Sequence, residues 1–275
     1  MKSAHGGVDF RVGIAFFFAC MVTSGCANLT ASPSERADSL ARQNGFVAVP
    51  LQSGLRAYWR SGTSAELTIY IEGDGAHWPR GYPPADPTPI NPYALKLAIA
   101  DTSANVAYLA RACQYLSPEQ LAQCPSALWI DGRFGDAAIN LAMRSIDELK
   151  AHTKAKSLRL VGYSGGGALA TLVTSRRDDV SCLLTIGAPL DISAWVTALG
   201  LSPLEKSRNP SAQEGVSINI LQTHFQGSAD TVVPPSTTLA YRLRHRYAKF
   251  EQVEAYDHEC CWDKDWATRI AKACQ

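Results

Sequence analysis

The most informative segment of the sequence is LRLVGYSGGGALA, at residues 158–170. Its first half is an apolar run typical of a buried strand, and its second half continues as a helix-like segment to residue 176. Between the two halves, Ser164 has a glycine two positions before it and another two positions after it. A strand that turns directly into a helix leaves no room for larger side chains there. The pattern therefore predicts a serine hydroxyl exposed at a helix N-terminus, where free N–H groups favour developing negative charge.

A glycine-rich turn between a strand and a helix has two other interpretations. It can serve the structure alone, or it can bind the phosphates of a dinucleotide. The dinucleotide-binding fingerprint is Gly-x-Gly-x-x-Gly, which this stretch lacks. The interpretation as a purely structural turn is not excluded at this point.

On both sides of this segment, strand-like runs alternate with helix-like runs along the chain. The predicted strands cover residues 46–51, 55–59, 67–72, 105–110, 127–130, 158–163, 180–186, 217–225 and 250–255. The predicted helices cover residues 93–100, 137–152, 166–176, 236–245 and 262–273. An early hairpin followed by repeated strand–helix units predicts an α/β fold with a mainly parallel central sheet flanked by helices. Residues 191–215 form a short segment between two strands and are expected to make a short cap, with ordinary packing over the sheet edge as the alternative.

The composition is that of an ordinary globular protein. The chain has 275 residues, 46 % of them hydrophobic, and a net charge of +1. No run of basic residues marks a nucleic-acid interface, so no nucleic-acid partner is expected. No linker is visible after residue 44, and we expect one domain over residues 45–275.

The N-terminus has the features of a targeting signal rather than of a fold. Lys2 and Arg11 lie in a polar region, and residues 12–22 are apolar. This run is shorter than the roughly 20 residues that span a bilayer, and it has the length of a signal-peptide core. We therefore assign residues 1–25 to a signal peptide.

The residues that follow resemble a bacterial lipobox. Thr23, Ser24 and Gly25 are small residues placed directly before Cys26. By that resemblance the signal is cut before Cys26, which then carries lipid, and residues 26–44 form a tether or a marginal first helix. A plain secretory signal is the alternative. Ala27 favours the outer membrane, so the expected location is the cell envelope, lipid-anchored and facing the periplasm.

Six cysteines remain for disulfides once the signal and Cys26 are set aside. They are Cys113, Cys124, Cys182, Cys260, Cys261 and Cys274. An even number fits an oxidising compartment. Cys113–Cys124 would close a short excursion around Pro118. The other two pairings stay open: Cys260–Cys261 with Cys182–Cys274, or Cys261–Cys274 across one helix. No cysteine or histidine spacing predicts a zinc site, and no metal is expected.

Two later loops supply partners for a serine nucleophile, which needs a base and a group that orients the base. The loop HFQGSADTVVP, at residues 224–234, follows a predicted strand and contains Asp230. The loop that begins after residue 255 contains His258. Both loops come after Ser164 in the chain, the acid before the histidine.

These motifs, in this order, resemble the α/β-hydrolase superfamily from about residue 45 to the end. A narrower resemblance, to secreted or lipid-anchored bacterial hydrolases, rests on four strings. They are IEGDG at 71–75, GYSGGGALA at 162–170, SPLEKSRNP at 202–210 and DHECCW at 257–262. The superfamily resemblance implies that Ser164 is the nucleophile, His258 the general base and Asp230 the orienting acid.

Other residues compete for these roles. His77, His224 and Asp257 are nearby alternatives, and Asp191 follows a strand at a position that some members use for the acid. We expect His224 to be a packed core histidine and Asp257 to point away from the base. Asp191 is kept in reserve.

The resemblance also implies an oxyanion hole made of two backbone N–H groups. One belongs to Gly165, directly after the nucleophile. The other comes from the loop after the strand at 67–72, with Asp74 as first choice and Gly75 as second. Here the chain departs from the superfamily, because Glu72 stands where a histidine is common. We expect the Asp74 side chain to cap its own loop.

These expectations describe a serine hydrolase that cleaves an acyl bond, most simply a carboxylic ester with a small or medium acyl group. The partners expected are this small-molecule substrate and, through the lipid, a membrane. No cofactor is required, and a monomer is expected. The alternatives are a non-catalytic envelope lipoprotein that uses the scaffold for binding, and an acyltransferase.

Overall fold

A computed structural model describes residues 1, 3, 31–76, 82–212 and 215–274. Within these ranges eight strands form one sheet, in the order β1-β2-β4-β3-β5-β6-β7-β8. The β1–β2 and β2–β4 pairs are antiparallel and the other pairs are parallel. The strands are β1 (Val47–Ala48), β2 (Ala57–Arg60), β3 (Glu66–Ile71), β4 (Val106–Leu109), β5 (Ser157–Tyr163), β6 (Val180–Ile186), β7 (Leu221–Gly227) and β8 (Lys249–Val253).

Helices cover both faces of the sheet, which confirms the predicted fold class. They are α1 (Pro33–Gln43), α2 (Tyr93–Ala100), α3 (Pro118–Gln123), α4 (Asp136–Thr153), α5 (Gly165–Thr174), α6 (Ile192–Ala198), α7 (Leu239–Arg244) and α8 (Trp262–Ala273). Successive strand residues face opposite sides, so Leu160 packs in the core under α4 and α5, and Val161 packs in the core under α1, α2 and α8. No helix in the described ranges is long and apolar enough to cross a bilayer.

The carboxyl ends of the parallel strands meet along one edge of the sheet. Ile71, the last residue of β3, pairs with Gly162 in β5, and Ile186, the last residue of β6, pairs with Phe225 in β7. The loops after β3, β5, β7 and β8 therefore lie side by side. Open α/β sheets bind their ligands at this edge.

The domain begins at Ser32 rather than at residue 45. Ser32 caps α1 by accepting a hydrogen bond from the backbone N–H of Glu35, whose side chain in turn accepts from the backbone of Ser32. Ala37 and Ala41 are buried against the sheet. Of the two interpretations of residues 26–44, a tether or a first helix, the helix applies to Pro33–Gln43, whose small residues pack against the core.

Three predicted elements differ in the structure. Residues 127–130, predicted as a strand, instead lie in a 3-10 turn, Ser126–Leu128, and in the turn that follows it, because their N–H groups bond locally to the carbonyls of Pro125 and Ser126. The strand predicted from 217 begins at Leu221, after a turn closed by Ser217. The helix predicted from 236 starts as a 3-10 turn, Pro235–Thr238, before α7.

The disulfides are Cys113–Cys124, Cys182–Cys274 and Cys260–Cys261. The expected first pairing is present, and the rival pairing Cys261–Cys274 is wrong. Cys182 lies in β6, and the end of α8 packs beside it, so that the Cα atoms of Cys182 and Cys274 are 6.0 Å apart.

Some of the sequence-based expectations lie outside the described residues. Met1–Ala31 is a separate unit, of which residues 1, 3 and 31 are described. The apolar run at 12–22 and Cys26 lie outside the described residues, and so does His77.

Candidate active site

Ser164 sits on a sharp turn between β5 and α5. Its backbone has φ 53° and ψ −129°. A side chain at Gly162 or Gly166 would overlap neighbouring backbone, in the second case that of Ile71 and Glu72. The turn is closed by a hydrogen bond from the Ser164 N–H to the carbonyl of Ile186, at 2.8 Å. The turn therefore needs a glycine at positions 162 and 166, as the sequence predicted.

The structure brings the three predicted side chains together. The distance from Ser164 Oγ to His258 Nε2 is 2.9 Å, and that from His258 Nδ1 to Asp230 Oδ2 is 2.8 Å. The other oxygen of Asp230 accepts the N–H groups of Val232 and Val233, at 2.9 and 2.8 Å. These bonds hold the carboxylate in one orientation, and Asp230 and His258 are both buried.

Neighbouring groups fix the imidazole of His258. The Tyr163 ring lies against it, with 5.2 Å between ring centroids, and the Tyr163 hydroxyl donates to the His258 carbonyl at 3.2 Å. Burial raises the pKa of Tyr163 well above its ordinary value, so this hydroxyl stays protonated. On the other side, a Cβ on Gly187 would come within 3.1 Å of both His258 Nδ1 and Asp230 Oδ2. These contacts restrict the position of the His258 ring.

The loop after β3 lies directly against the turn that carries Ser164. A Cβ on Gly73 would stand 3.2 Å from the Cβ of Ser164, and a Cβ on Gly165 would overlap the carboxylate of Asp74. Gly165 is the first residue of α5, so its N–H has no acceptor within the helix. The two residues predicted to supply backbone donors, Gly165 and Asp74, are therefore neighbours in space.

Among the described residues, the side chain of Asp74 pairs with two arginines rather than capping its own loop. Its Oδ1 lies 3.2 Å from Nη1 of Arg111, and its Oδ2 lies 3.1 Å from Nε of Arg133. Both arginines are nearly inaccessible, at 5 % and 3 % exposure. The Asp74 side chain is only partly buried, at 21 % exposure, and two ion pairs hold a carboxylate more strongly than loop N–H groups would. Neither arginine was predicted from the sequence as part of the site.

Glu72 stabilises the same loop from the core. One oxygen accepts the N–H of Gly73 at 3.1 Å and the N–H of Ala94, in the first turn of α2, at 3.2 Å. Burial raises the pKa of Glu72 to about 7. The Glu72 carboxyl thus ties the start of the loop to a helix N-terminus.

The competing residues have other partners. His224 is buried with Nδ1 2.8 Å from the Thr185 hydroxyl, and burial lowers its pKa to about 3, as expected for a core histidine. Asp257 accepts the N–H groups of its own loop, and Asp191 caps α6. Among the described residues, no group of three or more His, Cys, Asp or Glu side chains is placed to hold a metal ion.

A cavity of about 320 Å³ opens beside Ser164 and His258. One wall is apolar and is formed by Trp195, Leu199, Leu201 and Val232, and the other by Pro89, Asn91, Glu259 and the loop after β3. Trp195 donates from Nε1 to the carbonyl of Val232 at 2.8 Å, which fixes the apolar wall to the loop of Asp230. The predicted short cap therefore lines the site, and the partly exposed Leu199 leaves it open to solvent.

No family model matches the chain, and no curated protein matches it in sequence. Solved structures match its fold. The esterase Pf2001 from Pyrococcus furiosus has a TM-score of 0.53 at 14 % identity, covering 82 % of this chain and 90 % of that chain. Est1E from Butyrivibrio proteoclasticus has a TM-score of 0.55 at 12 % identity, covering 83 % and 98 %. A puromycin-hydrolyzing peptidase from Mycobacterium tuberculosis has a TM-score of 0.56 at 12 % identity, covering 84 % and 39 %.

Proposed function

We propose that this chain, which has the α/β-hydrolase fold, is a serine hydrolase that cleaves a carboxylic ester through Ser164, His258 and Asp230. Esterases and hydrolases among the structural matches support a hydrolase scaffold. Because one fold hosts many activities, the proposal rests on the site. The observation that carries it is the continuous path of two hydrogen bonds, 2.9 and 2.8 Å long, from hydroxyl to imidazole to carboxylate.

In the acylation step, Ser164 Oγ attacks the ester carbonyl carbon while its proton passes to Nε2 of His258. Asp230 accepts the Nδ1–H, which leaves Nε2 free to take that proton and stabilises the imidazolium. The carbonyl oxygen becomes negative and receives hydrogen bonds from the N–H groups of Gly165 and Asp74. When the tetrahedral intermediate collapses, the C–O bond to the alcohol breaks, and His258 returns the proton to the leaving alkoxide.

In the deacylation step, a water molecule takes the place of the alcohol. His258 accepts a proton from the water as its oxygen attacks the acyl carbon, and a second tetrahedral intermediate forms. Its collapse breaks the bond to Ser164 Oγ, which regains a proton from His258. The acid leaves, and the enzyme returns to its starting state with no cofactor consumed.

The cavity limits the acyl group. A volume of about 320 Å³ is at the small end of ligand sites, and the apolar wall favours a hydrocarbon chain over a polar group. Esters with small or medium acyl groups are therefore the proposed substrates.

A fluorophosphonate probe tests the proposal without knowledge of the natural substrate. We expect wild type to be labelled at Ser164, and Ser164→Ala to lose the label and to lower ester hydrolysis by roughly 10⁴–10⁶-fold. Ser181→Ala is a matched control, because Ser181 lies at the amino end of β6, away from the site. Folded wild-type protein that takes up no label, or that is labelled elsewhere, would contradict the proposal.

We also propose that the chain is exported and lipid-anchored at Cys26. Three disulfides support export, because such bonds persist in oxidising compartments. Mass spectrometry of the mature N-terminal peptide provides the test. A diacylated or triacylated Cys26 is expected, and an unmodified Cys26 within the mature chain would refute the anchor.

A further inference from the structure

The carboxylate of Asp74 lies at an electrostatically unfavourable place for the proposed reaction. It contacts Gly165, whose N–H is a proposed donor to the carbonyl oxygen of the substrate. That oxygen becomes negative in the transition state. A like charge next to it would raise the barrier unless it is neutralised, and the low dielectric of a closed site strengthens the effect.

Two buried cations neutralise this carboxylate, one at each oxygen. Arg111 reaches Oδ1 and Arg133 reaches Oδ2, at 3.2 and 3.1 Å. The two arginines are also joined to each other, because Nη2 of Arg111 donates to the carbonyl of Arg133 at 2.7 Å. Their guanidinium groups lie over the Phe134 ring, at 5.3 and 5.6 Å from its centroid. Two positive charges against one negative charge leave this cluster with an excess of one positive charge beside Gly165.

Residues 111–114 also hold the backbone of the loop after β3, which contains the proposed donor Asp74. The N–H of Arg111 donates to Oε1 of Gln114 at 2.9 Å, and Nε2 of Gln114 donates to the carbonyl of Gly73 at 3.1 Å. The disulfide Cys113–Cys124 closes the excursion from which these contacts come. Residues 111–114 therefore influence both the charge beside Asp74 and the position of the loop backbone after β3.

We infer that Arg111 and Arg133 are positioning residues for the proposed hydrolysis: they cancel the charge of Asp74 and hold its backbone N–H toward the oxygen of the substrate. This inference rests on the proposed function. It predicts an effect that a purely structural role of the two arginines would not produce. Removing Arg111 should harm the reaction because Oδ1 of Asp74 then loses its cation and the cluster loses its excess positive charge. Removing the carboxylate as well restores that excess charge, so it should restore much of the rate.

The test is a double-mutant cycle read by the second-order rate of fluorophosphonate labelling at Ser164, since the probe's phosphoryl oxygen occupies the same hole. We expect Arg111→Gln to label about 100-fold more slowly than wild type, a typical cost of disturbing an oxyanion hole. Arg111→Gln with Asp74→Asn should return to within about 10-fold of wild type. Arg177→Gln is the matched control, since Arg177 is also a shielded, ion-paired arginine but lies before the amino end of β6. It should label at the wild-type rate.

The outcomes separate this inference from the proposed function. A wild-type protein without label overturns both. A labelled wild type with an unchanged Arg111→Gln rate, or a double variant as slow as the single one, overturns the inference and leaves the proposed function standing. Thermal unfolding of each variant is measured alongside. If Arg111→Gln does not fold, Arg133→Gln with and without Asp74→Asn makes the same comparison, because Arg133 holds the other oxygen.

Discussion

Ser164 has a positive φ, which is uncommon for residues other than glycine. The turn permits it because Gly162 and Gly166 leave room for the backbone on each side. This demand is local, so the sequence was sufficient to predict the turn. Asp230 and His258 were also predictable, because each follows a strand whose end lies at a known edge of the sheet. Arg111 and Arg133 were not, because they reach Asp74 through tertiary packing that leaves no local pattern.

Changing Asp230 to Asn should abolish most of the activity while keeping the shape of the site. The amide nitrogen would donate to Nδ1 of His258, so Nε2 would carry the ring proton and could not accept the proton of Ser164. We expect kcat for a p-nitrophenyl ester to fall about 10⁴-fold. Asp191→Asn is the control, because Asn caps α6 as well as Asp does, and its kcat should stay within about twofold of wild type. More than a tenth of the wild-type rate in Asp230→Asn would contradict the assignment.

At the scale of elements, α6 and the segment after it determine the apolar side of the cavity. Trp195 belongs to the helix and is held to Val232, whereas Leu199 and Leu201 follow it and form the outer part of the wall. The sequence predicted that this short segment would cover the site. It did not predict that residues 127–130 would stay out of the sheet, since strand formation depends on a free edge that an apolar run does not reveal.

Shortening Leu199 should change the acyl preference more than the stability. Leu199 lines the cavity and is 36 % exposed, so Leu199→Ala removes a barrier at the rim without opening a hole in the core. The ratio of kcat/KM for an octanoyl ester to that for an acetyl ester should rise about 3–10-fold, the range that a few methylene contacts produce. Leu243→Ala, on the exposed side of α7, should leave the ratio unchanged. An unaltered ratio in Leu199→Ala would show that the acyl group of the substrate binds elsewhere.

For the whole molecule, two buried groups give folding opposite dependences on pH. Burial lowers the pKa of His224 from 6.5 to about 3 and raises that of Glu72 from 4.5 to about 7. The contribution of His224 is present above pH 6.5 and is lost as the pH falls toward 3, because the unfolded chain then binds the extra proton. The contribution of Glu72 is present below pH 4.5 and is lost as the pH rises toward 7.

Urea unfolding of wild type and His224→Gln between pH 4.5 and 6.5 tests this balance. The free energy of unfolding of wild type relative to the variant should increase with pH, by on the order of 1 kcal/mol per unit. Glu72 is common to both proteins and cancels in the difference. A difference that is flat, or that decreases with pH, would show that His224 is accessible to protons in the folded state.

The position of the site in the chain has a consequence for newly made copies. In the proposed mechanism the nucleophile, Ser164, follows β5, whereas its base, His258, follows β8. Until that strand has docked, Ser164 carries an ordinary alcohol with no group to remove its proton. By the proposed mechanism, a copy in which that strand has not docked cannot hydrolyse esters through Ser164, and the activity appears only when folding is complete.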